Sequence, residues 1–369
     1  MKKLLLVIFL FSIGHIQAQD TLRRYFDETL LPTDKKHAVY EALVTRAENH
    51  YQALVLYKSG NVFLKGEYKD KSLFIRNGLF ELFNENGTGI FSVIYDENKI
   101  NGVFKRWNAT GTLADSGMIR NNHCEGEWRG YHKNGQPAYR VNYIGSNYFQ
   151  PELPSQLDIA RFLSVAGLTN FQIYAVPDGK YYEWYENGRL KDSCEFAKGK
   201  KTGQWRSWYV DGKPESEGKY MNDSCVGVWN WYHSTGELAT REVYRDGKLS
   251  DLACYDSLGT PTGFTCALMT RPHPTADSVE GSFEDYLIAN LYYPREALTK
   301  GIEGMVSLEF VIGKDGRLKS INIISSPSDL LSEEVVRLLK SVPKWAPAIS
   351  HNRPVDFVYE FNVPFRIPD

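Results

Sequence analysis

The stretch GQWRSWYVDG (203–212) sets two tryptophans and a tyrosine on a short polar frame and closes on Asp-Gly. Aromatics at this density suit a carbohydrate platform, a nucleic-acid stacking surface or a core, and the rest of the chain decides among them. The frame recurs with its opening glycine at Gly78, Gly102, Gly126, Gly179, Gly203 and Gly227, in two blocks of three whose copies start 24 residues apart. A fixed period in this range marks a repeat architecture. Phe80, Phe104, Trp128, Tyr181, Trp205 and Trp229 stand two residues after the opening glycine, and Phe83, Trp107, Tyr131, Trp184, Trp208 and Tyr232 stand five after it. Six of the eight tryptophans fall in these two columns, so the rings belong to a repeated frame and act as structural repeat aromatics.

Each unit reads as a hairpin. An extended aromatic run ends at Asn86-Gly87, Asn134-Gly135, Asn187-Gly188 or Asp211-Gly212, pairs that accept the positive φ angles of a two-residue turn. A second run follows, with Tyr95, Ile119, Phe196 or Tyr220 seven residues before the next opening glycine. One hairpin cannot bury its own face, so neighbours must stack. The expected product is an elongated antiparallel sheet that grows two strands per repeat. The columns are three residues apart, whereas strand side chains alternate with period two. Either each strand bulges or the columns face opposite sides; the preferred reading is a bend that turns both aromatics to the core.

The frame resembles the MORN repeat variant of exported bacterial proteins, and GQWRSWYVDGKPESEGKYMNDSCVG follows that pattern over a region of roughly 50–260. The resemblance implies a scaffold or binding role. The repeats lack a strong basic bias, so any membrane association is expected to be indirect. Where the period breaks, 146–176 contains Pro151, Pro154 and a helical pattern at 157–165.

The first residues, MKKLLLVIFLFSIGHIQAQD, carry Lys2 and Lys3 ahead of a short apolar run, with Ala18 before Gln19 as the expected cleavage point of a secretory signal. About 20 apolar residues are needed to span a bilayer, and this run is shorter. The chain is therefore expected in the periplasm, within the envelope of a Gram-negative bacterium. Disulfides are permitted there. With five cysteines at least one thiol must stay unpaired within the chain, and Cys254 and Cys266 are the first candidates for a bridge. The net charge of −2 gives no global attraction for nucleic acid.

Beyond residue 260 the period fades, and TRPHPTADS reads as a linker. Pro294 suits the start of a helix through Ala297. Val306, Leu308 and Phe310 alternate as a strand, Lys314-Asp315-Gly316 turns, and 318–325 returns. Ser332, with Glu333 and Glu334, reads as the N-cap of a helix through Lys340, and 355–365 as a last strand. This order, helix–strand–strand–helix–strand, is a compact α+β unit.

Tyr293-Pro294, Gly304, Asp315-Gly316, Ser325-Ser326, Trp345, Pro347-Ala348, Pro354-Val355 and Pro364-Phe365 together resemble the TonB C-terminal domain. The resemblance implies contact with an outer-membrane receptor or transporter by strand addition. It puts the partner-binding residues on the last strand: Val355, Phe357, Tyr359, Phe361 and Val363.

No nucleophile elbow, phosphate loop, dinucleotide fingerprint or HExxH occurs, and no enzyme, cofactor, metal or nucleic-acid function is expected. His123, Cys124 and His132 lie close in sequence but read as turn and strand-end residues. The expected organisation is a signal peptide (1–18), an N-terminal segment leading into the sheet (19–58), a first repeat block (59–145), an insert (146–176), a second block (177–260), a linker (261–283) and the TonB-like domain (284–369). The expected role is a non-enzymatic adaptor. Two alternatives stand beside it: a membrane-anchored energy transducer for outer-membrane transport, and a carbohydrate-binding repeat surface that would need exposed Trp205 and Trp208.

Overall fold

A computed structural model describes residues 21–27, 33–145, 175–263, 266–275, 283–342 and 344–367. The expected signal peptide and the helical pattern read at 157–165 lie outside the described residues, as does most of the expected insert. The fold is mainly β, with a long antiparallel sheet and a smaller C-terminal α+β region. The described residues form two compact units. One holds the chain up to Trp205 with 210–212 and 220–223, and the other holds 206–209, 213–219 and everything from Ser224 onward.

In the first unit, strands adjacent in sequence pair antiparallel from Leu22–Phe26 to Leu190–Ala197. The N-terminal segment does more than lead in. Leu22–Phe26, Tyr40–Ala47 and His50–Tyr57 are full members of the sheet, and Ala42 and Val44 are buried. The insert departs after Pro137–Ile144 and returns to strands that pair with it, Tyr143 opposite Pro177 and Tyr139 opposite Glu183. Pairing therefore continues across the insert.

The two turns of each hairpin differ from the expected chemistry. At the Asn-Gly end the loop has three residues rather than two. Gly87 N–H donates to Asn84 O and Asn84 N–H to Thr88 O, both at 2.9 Å, with Gly87 at φ 85°. This is a type I turn closed by a left-handed glycine, which leaves a bulge. The register shifts immediately before the second-column residue, at Leu82/Phe83, Arg106/Trp107, Gly130/Tyr131, Glu183/Trp184 and Trp231/Tyr232. The two-residue turn with both φ angles positive lies at the opposite end, in Glu97-Asn98, Asn121-Asn122, Asn222-Asp223 and Asp246-Gly247.

The extra residue of the bulge lies on the returning strand, as Ile90 does between Gly89 and Phe91, so alternation stands: Phe80 and Leu82 are buried while Phe83 has the other parity. Phe80, Phe104, Trp128 and Trp229 are almost wholly buried, while the second column is half-buried throughout. The expectation that both columns turn fully inward is thus corrected. Trp128 and Trp229 share one seat. Their Nε1 atoms donate to Met118 O and Lys219 O, each at 3.1 Å. A Cβ at Gly117 would lie 2.2 Å from the Trp128 ring, and one at Gly218 2.1 Å from the Trp229 ring. The glycine eleven residues before these tryptophans exists to let the indole lie on the backbone.

Hydrogen bonds between turns tie successive hairpins together. In the first unit Asn98, Asn122 and Asp223 donate their N–H to the carbonyls of Arg76, Ile100 and Lys201, each at 3.0 Å. Their side-chain oxygens accept the N–H of those same residues at 2.9, 2.7 and 2.7 Å. At the other end Tyr57 Oη donates to Phe83 O (2.9 Å) and the His132 ring to Trp184 O (2.7 Å). The second unit repeats the device, with Tyr209 Oη donating to Tyr232 O (2.6 Å) and the His233 ring to Tyr255 O (3.1 Å).

The second unit also contains the α+β region. Strand Gly304–Ile312 lies between Leu318–Ser325 and Phe357–Phe365. Helix Asp329–Ser341 buries Leu331, Val335, Leu338 and Leu339 against them. Its N-cap is Ser328, with Asp329 in the first turn; Ser332 sits inside the helix and bonds Asp329 O at 3.0 Å. Helix Arg295–Thr299 follows Pro294 and buries Ala297. A further helix, Phe283–Asn290, precedes it and anchors Phe283 among Phe310, Trp345 and Tyr359.

The segment read as a linker is built into this unit. Pro261–Gly263 pairs with Cys254 and Tyr255, Met269–Thr270 with Ala348–Ser350, and His273–Pro274 with Trp345–Ala346. Cys254 and Cys266 are joined by a disulfide. Short ladders two residues long carry no periodicity, which is why the composition alone suggested a tether.

Gly117→Ala and Gly218→Ala are each expected to destabilise the fold by about 1–3 kcal/mol through overpacking. A urea midpoint unchanged in both would show that the indoles do not rest on these glycines.

Candidate docking edge

The Phe357–Phe365 strand pairs with Gly304–Ile312 in an unbroken register from Phe357 opposite Ile312 to Phe365 opposite Gly304. Among the described residues no strand pairs with its other side. Side-chain alternation sorts the candidate residues. Tyr359 and Val363 are buried, and Phe357 and Phe361 pack half-buried on the same core. Tyr359 Oη also donates to Pro272 O at 2.5 Å. These four hold the strand in place from within. The side chains open to solvent are Val358, at 51% exposure, with Glu360, Asn362 and Pro364. Val355 is not on this strand: it closes Arg353–Val355, paired with Ala348–Ser350. The Pro354-Val355 signature marks this separate hairpin, so the edge strand starts after it.

Pro364 fixes which main-chain groups are free. Proline has no N–H for a ladder, so within a paired strand it sits with its nitrogen toward the open side. Residues of the same parity, Val358, Glu360 and Asn362, then present their N–H and C=O groups outward. Ile367 N–H, of the opposite parity, reaches the Glu303 carboxylate beside the partner strand, in agreement with this assignment. Where the strand begins, Asp356 accepts from Lys314 N–H and Lys319 Nζ, both at 2.7 Å. Burial alone would raise its pKa, but these bonds outweigh it and hold the carboxyl below the usual aspartate value.

The hairpin just before this strand is seated on the last repeat strands. His351 and Asn352 form its turn, both at positive φ. The His351 ring stacks on Trp231 with centroids 3.7 Å apart, and Nδ1 lies 2.7 Å from Glu242 Oε1. Buried Glu242 also accepts from Thr240 Oγ1 at 2.9 Å and Tyr244 Oη at 2.8 Å. Asn352 Nδ2 donates to Tyr255 O at 2.9 Å. Arg353, almost wholly buried, donates to Tyr209 Oη at 3.0 Å and to Tyr232 O and Glu215 Oε1, both at 3.3 Å. Sequence reading missed this cluster. The turn residues His351-Asn352 were a local signal, but their hydrogen-bond partners lie 109 and 97 residues upstream.

Residues 289–367 match the profile of the Gram-negative bacterial TonB protein C-terminal. Residues 125–144 and 177–198 match the MORN repeat variant. The chain carries a TonB-type C-terminal region behind MORN-variant repeats. A comparison with curated proteins found no match. TonB-type regions interact with envelope proteins such as outer-membrane receptors, which points to the envelope of a Gram-negative bacterium. No helix among the described residues is long and apolar enough to cross a membrane.

The remaining sequence candidates take structural places. Cys124 is buried, and burial pushes its thiol pKa well up. His132 is committed to Trp184 O. Among the described residues no group of three or more His, Cys, Asp or Glu could hold a metal ion. Trp205 and Trp208 are both half-buried. Trp205 meets Tyr220 edge-on at 5.8 Å, with Lys201 Nζ 5.0 Å from its ring.

Glu242 is expected to make the seat of the TonB-type region pH-dependent. Burial on its own would raise its pKa; the hydrogen bonds from His351, Tyr244 and Thr240 outweigh this and leave it lowered. A carboxyl lowered in the folded state stabilises above its unfolded value, about pH 4.3, and loses that contribution as pH falls through the folded value. Glu242→Gln is expected to cost about 1–3 kcal/mol at pH 7. The gap from wild type should shrink on acidification, as read by urea unfolding at several pH values.

Proposed function

We propose that this protein is a non-enzymatic periplasmic adaptor. The MORN-variant sheet serves as scaffold, and the TonB-type region docks an outer-membrane receptor or transporter by adding the partner's extended segment to Phe357–Phe365. The observation that carries this reading is the unpaired outer side of that strand, on a register held firmly from within. In strand addition, main-chain hydrogen bonds supply affinity and alternate side chains supply selectivity. The general absence of catalysis from TonB-type and MORN-variant regions supports an adaptor over an enzyme. The half-buried state of Trp205 and Trp208 favours a scaffold over a sugar platform.

Val358→Pro tests the docking. It removes one outward N–H, while proline is tolerated on an edge strand. A photocrosslinker at Glu360 in the full-length protein is expected to capture an outer-membrane β-barrel in cells. Val358→Pro should abolish capture while leaving the unfolding midpoint within about 1 kcal/mol of wild type. Capture that persists undiminished in a folded Val358→Pro protein would remove the edge from the mechanism.

A further inference from the structure

The outer face beside the docking strand carries a charge arrangement that the fold itself leaves unanswered. Glu309 stands directly opposite Glu360, and on its other side Glu309 faces Asn322. The row across the three strands is thus Asn–Glu–Glu, running to the open edge. Like charges directly opposite each other in a sheet are unfavourable. Neither glutamate has a hydrogen-bond or ion-pair partner among the described residues. Two lysines of the same sheet and its turn have other neighbours: Lys319 Nζ pairs with Asp356, and Lys314 Nζ lies 5.9 Å from the Tyr209 ring centre. The neighbouring rows differ in kind. Val358 faces Val311, Asn362 faces Ser307 and Pro364 faces Met305. The outer face therefore presents apolar, acidic, polar and apolar rows in succession along the docking strand.

We infer that the docked segment carries a lysine or arginine in the row of Glu360, on the outer face, flanked one row away by an apolar residue at Val358. This rests on the docking reading and adds the partner's chemistry to it. A cation in that position completes the row Asn322–Glu309–Glu360 as a fourth member and relieves the glutamate pair. Directly opposed charges on paired strands are within reach of one another. An acidic side chain in the same position meets two carboxylates, so the row also rejects wrong partners.

The experiment uses the full-length protein and three nine-residue peptides of alternating valine and threonine. They carry a central lysine, glutamine or glutamate in place of threonine, with valine also replacing the threonines two residues to either side, on the same face. Hydrogen exchange of the Val358, Glu360 and Asn362 amides is followed against peptide concentration, with a chelator present. The lysine peptide is expected to protect these amides at a two- to fivefold lower concentration than the glutamine peptide, with glutamate weakest. Glu360→Gln and Glu309→Gln should each reduce that ratio without abolishing protection. Protection independent of charge, or strongest with glutamate, overturns the basic-residue assignment and leaves the docking edge standing. No protection by any peptide at millimolar concentration overturns the docking reading and the assignment with it.

Discussion

The hydrogen bond from one turn to the next is the interaction on which the rest of this structure depends. A hairpin of this repeat has a ring too large to cover by itself and turn carbonyls that point away from its own strands. Asn98, Asn122 and Asp223 satisfy the preceding hairpin at one end, and Tyr57, His132, Tyr209 and His233 reach the following hairpin at the other. Stability is thereby placed between units more than within them, as expected of repeat proteins. Such a series needs something to close it. In the second unit, Tyr255 O receives both the His233 ring and Asn352 Nδ2, and Arg353 takes Tyr232 O. The hairpin of the TonB-type region supplies donors where another repeat would otherwise be required.

That closure also fixes the docking strand. Only Pro354, Val355 and Asp356 separate Arg353 from Phe357. The strand is held at its start by the buried Arg353 and the Asp356 bonds, along its length by the register with Gly304–Ile312, and from beneath by Tyr359 and Val363. On the proposed docking, an edge held on three counts would take an added strand with little ordering of its own, which is what preorganisation means for affinity.

How much of this was legible in the sequence follows from what repeats and what does not. The hairpin frame was readable because six copies average out local accidents, and four of the six first-column rings, Phe80, Phe104, Trp128 and Trp229, are buried. The order of the α+β region was readable because its strands and main helix are long enough to show a period. The two-residue turn is expected at the Asn-Gly end because Asn-Gly serves such a turn and a left-handed bulge glycine equally well. Asn121-Asn122 and Asn222-Asp223 were the true two-residue signals. The linker hid three short ladders, since two paired residues have no pattern to detect. Val355 was drawn into the edge strand because a β-prone run continues past the break at Asp356. The seat of His351 and Arg353 was beyond reach because Glu242, Tyr209 and Trp231 are neighbours only after folding.

Pro364 has a consequence for the size of what can be added. From Val358 to Pro364 the strand extends about 20 Å at roughly 3.3 Å per residue, and the last position offers a carbonyl but no N–H. A visiting segment can therefore zip only along a short stretch before the donors run out. An exposed edge with donors along its whole length would also accept a second copy of itself, and then a third. On the proposed docking, the proline sets a ruler on the guest and shortens the run of donors that another copy could use.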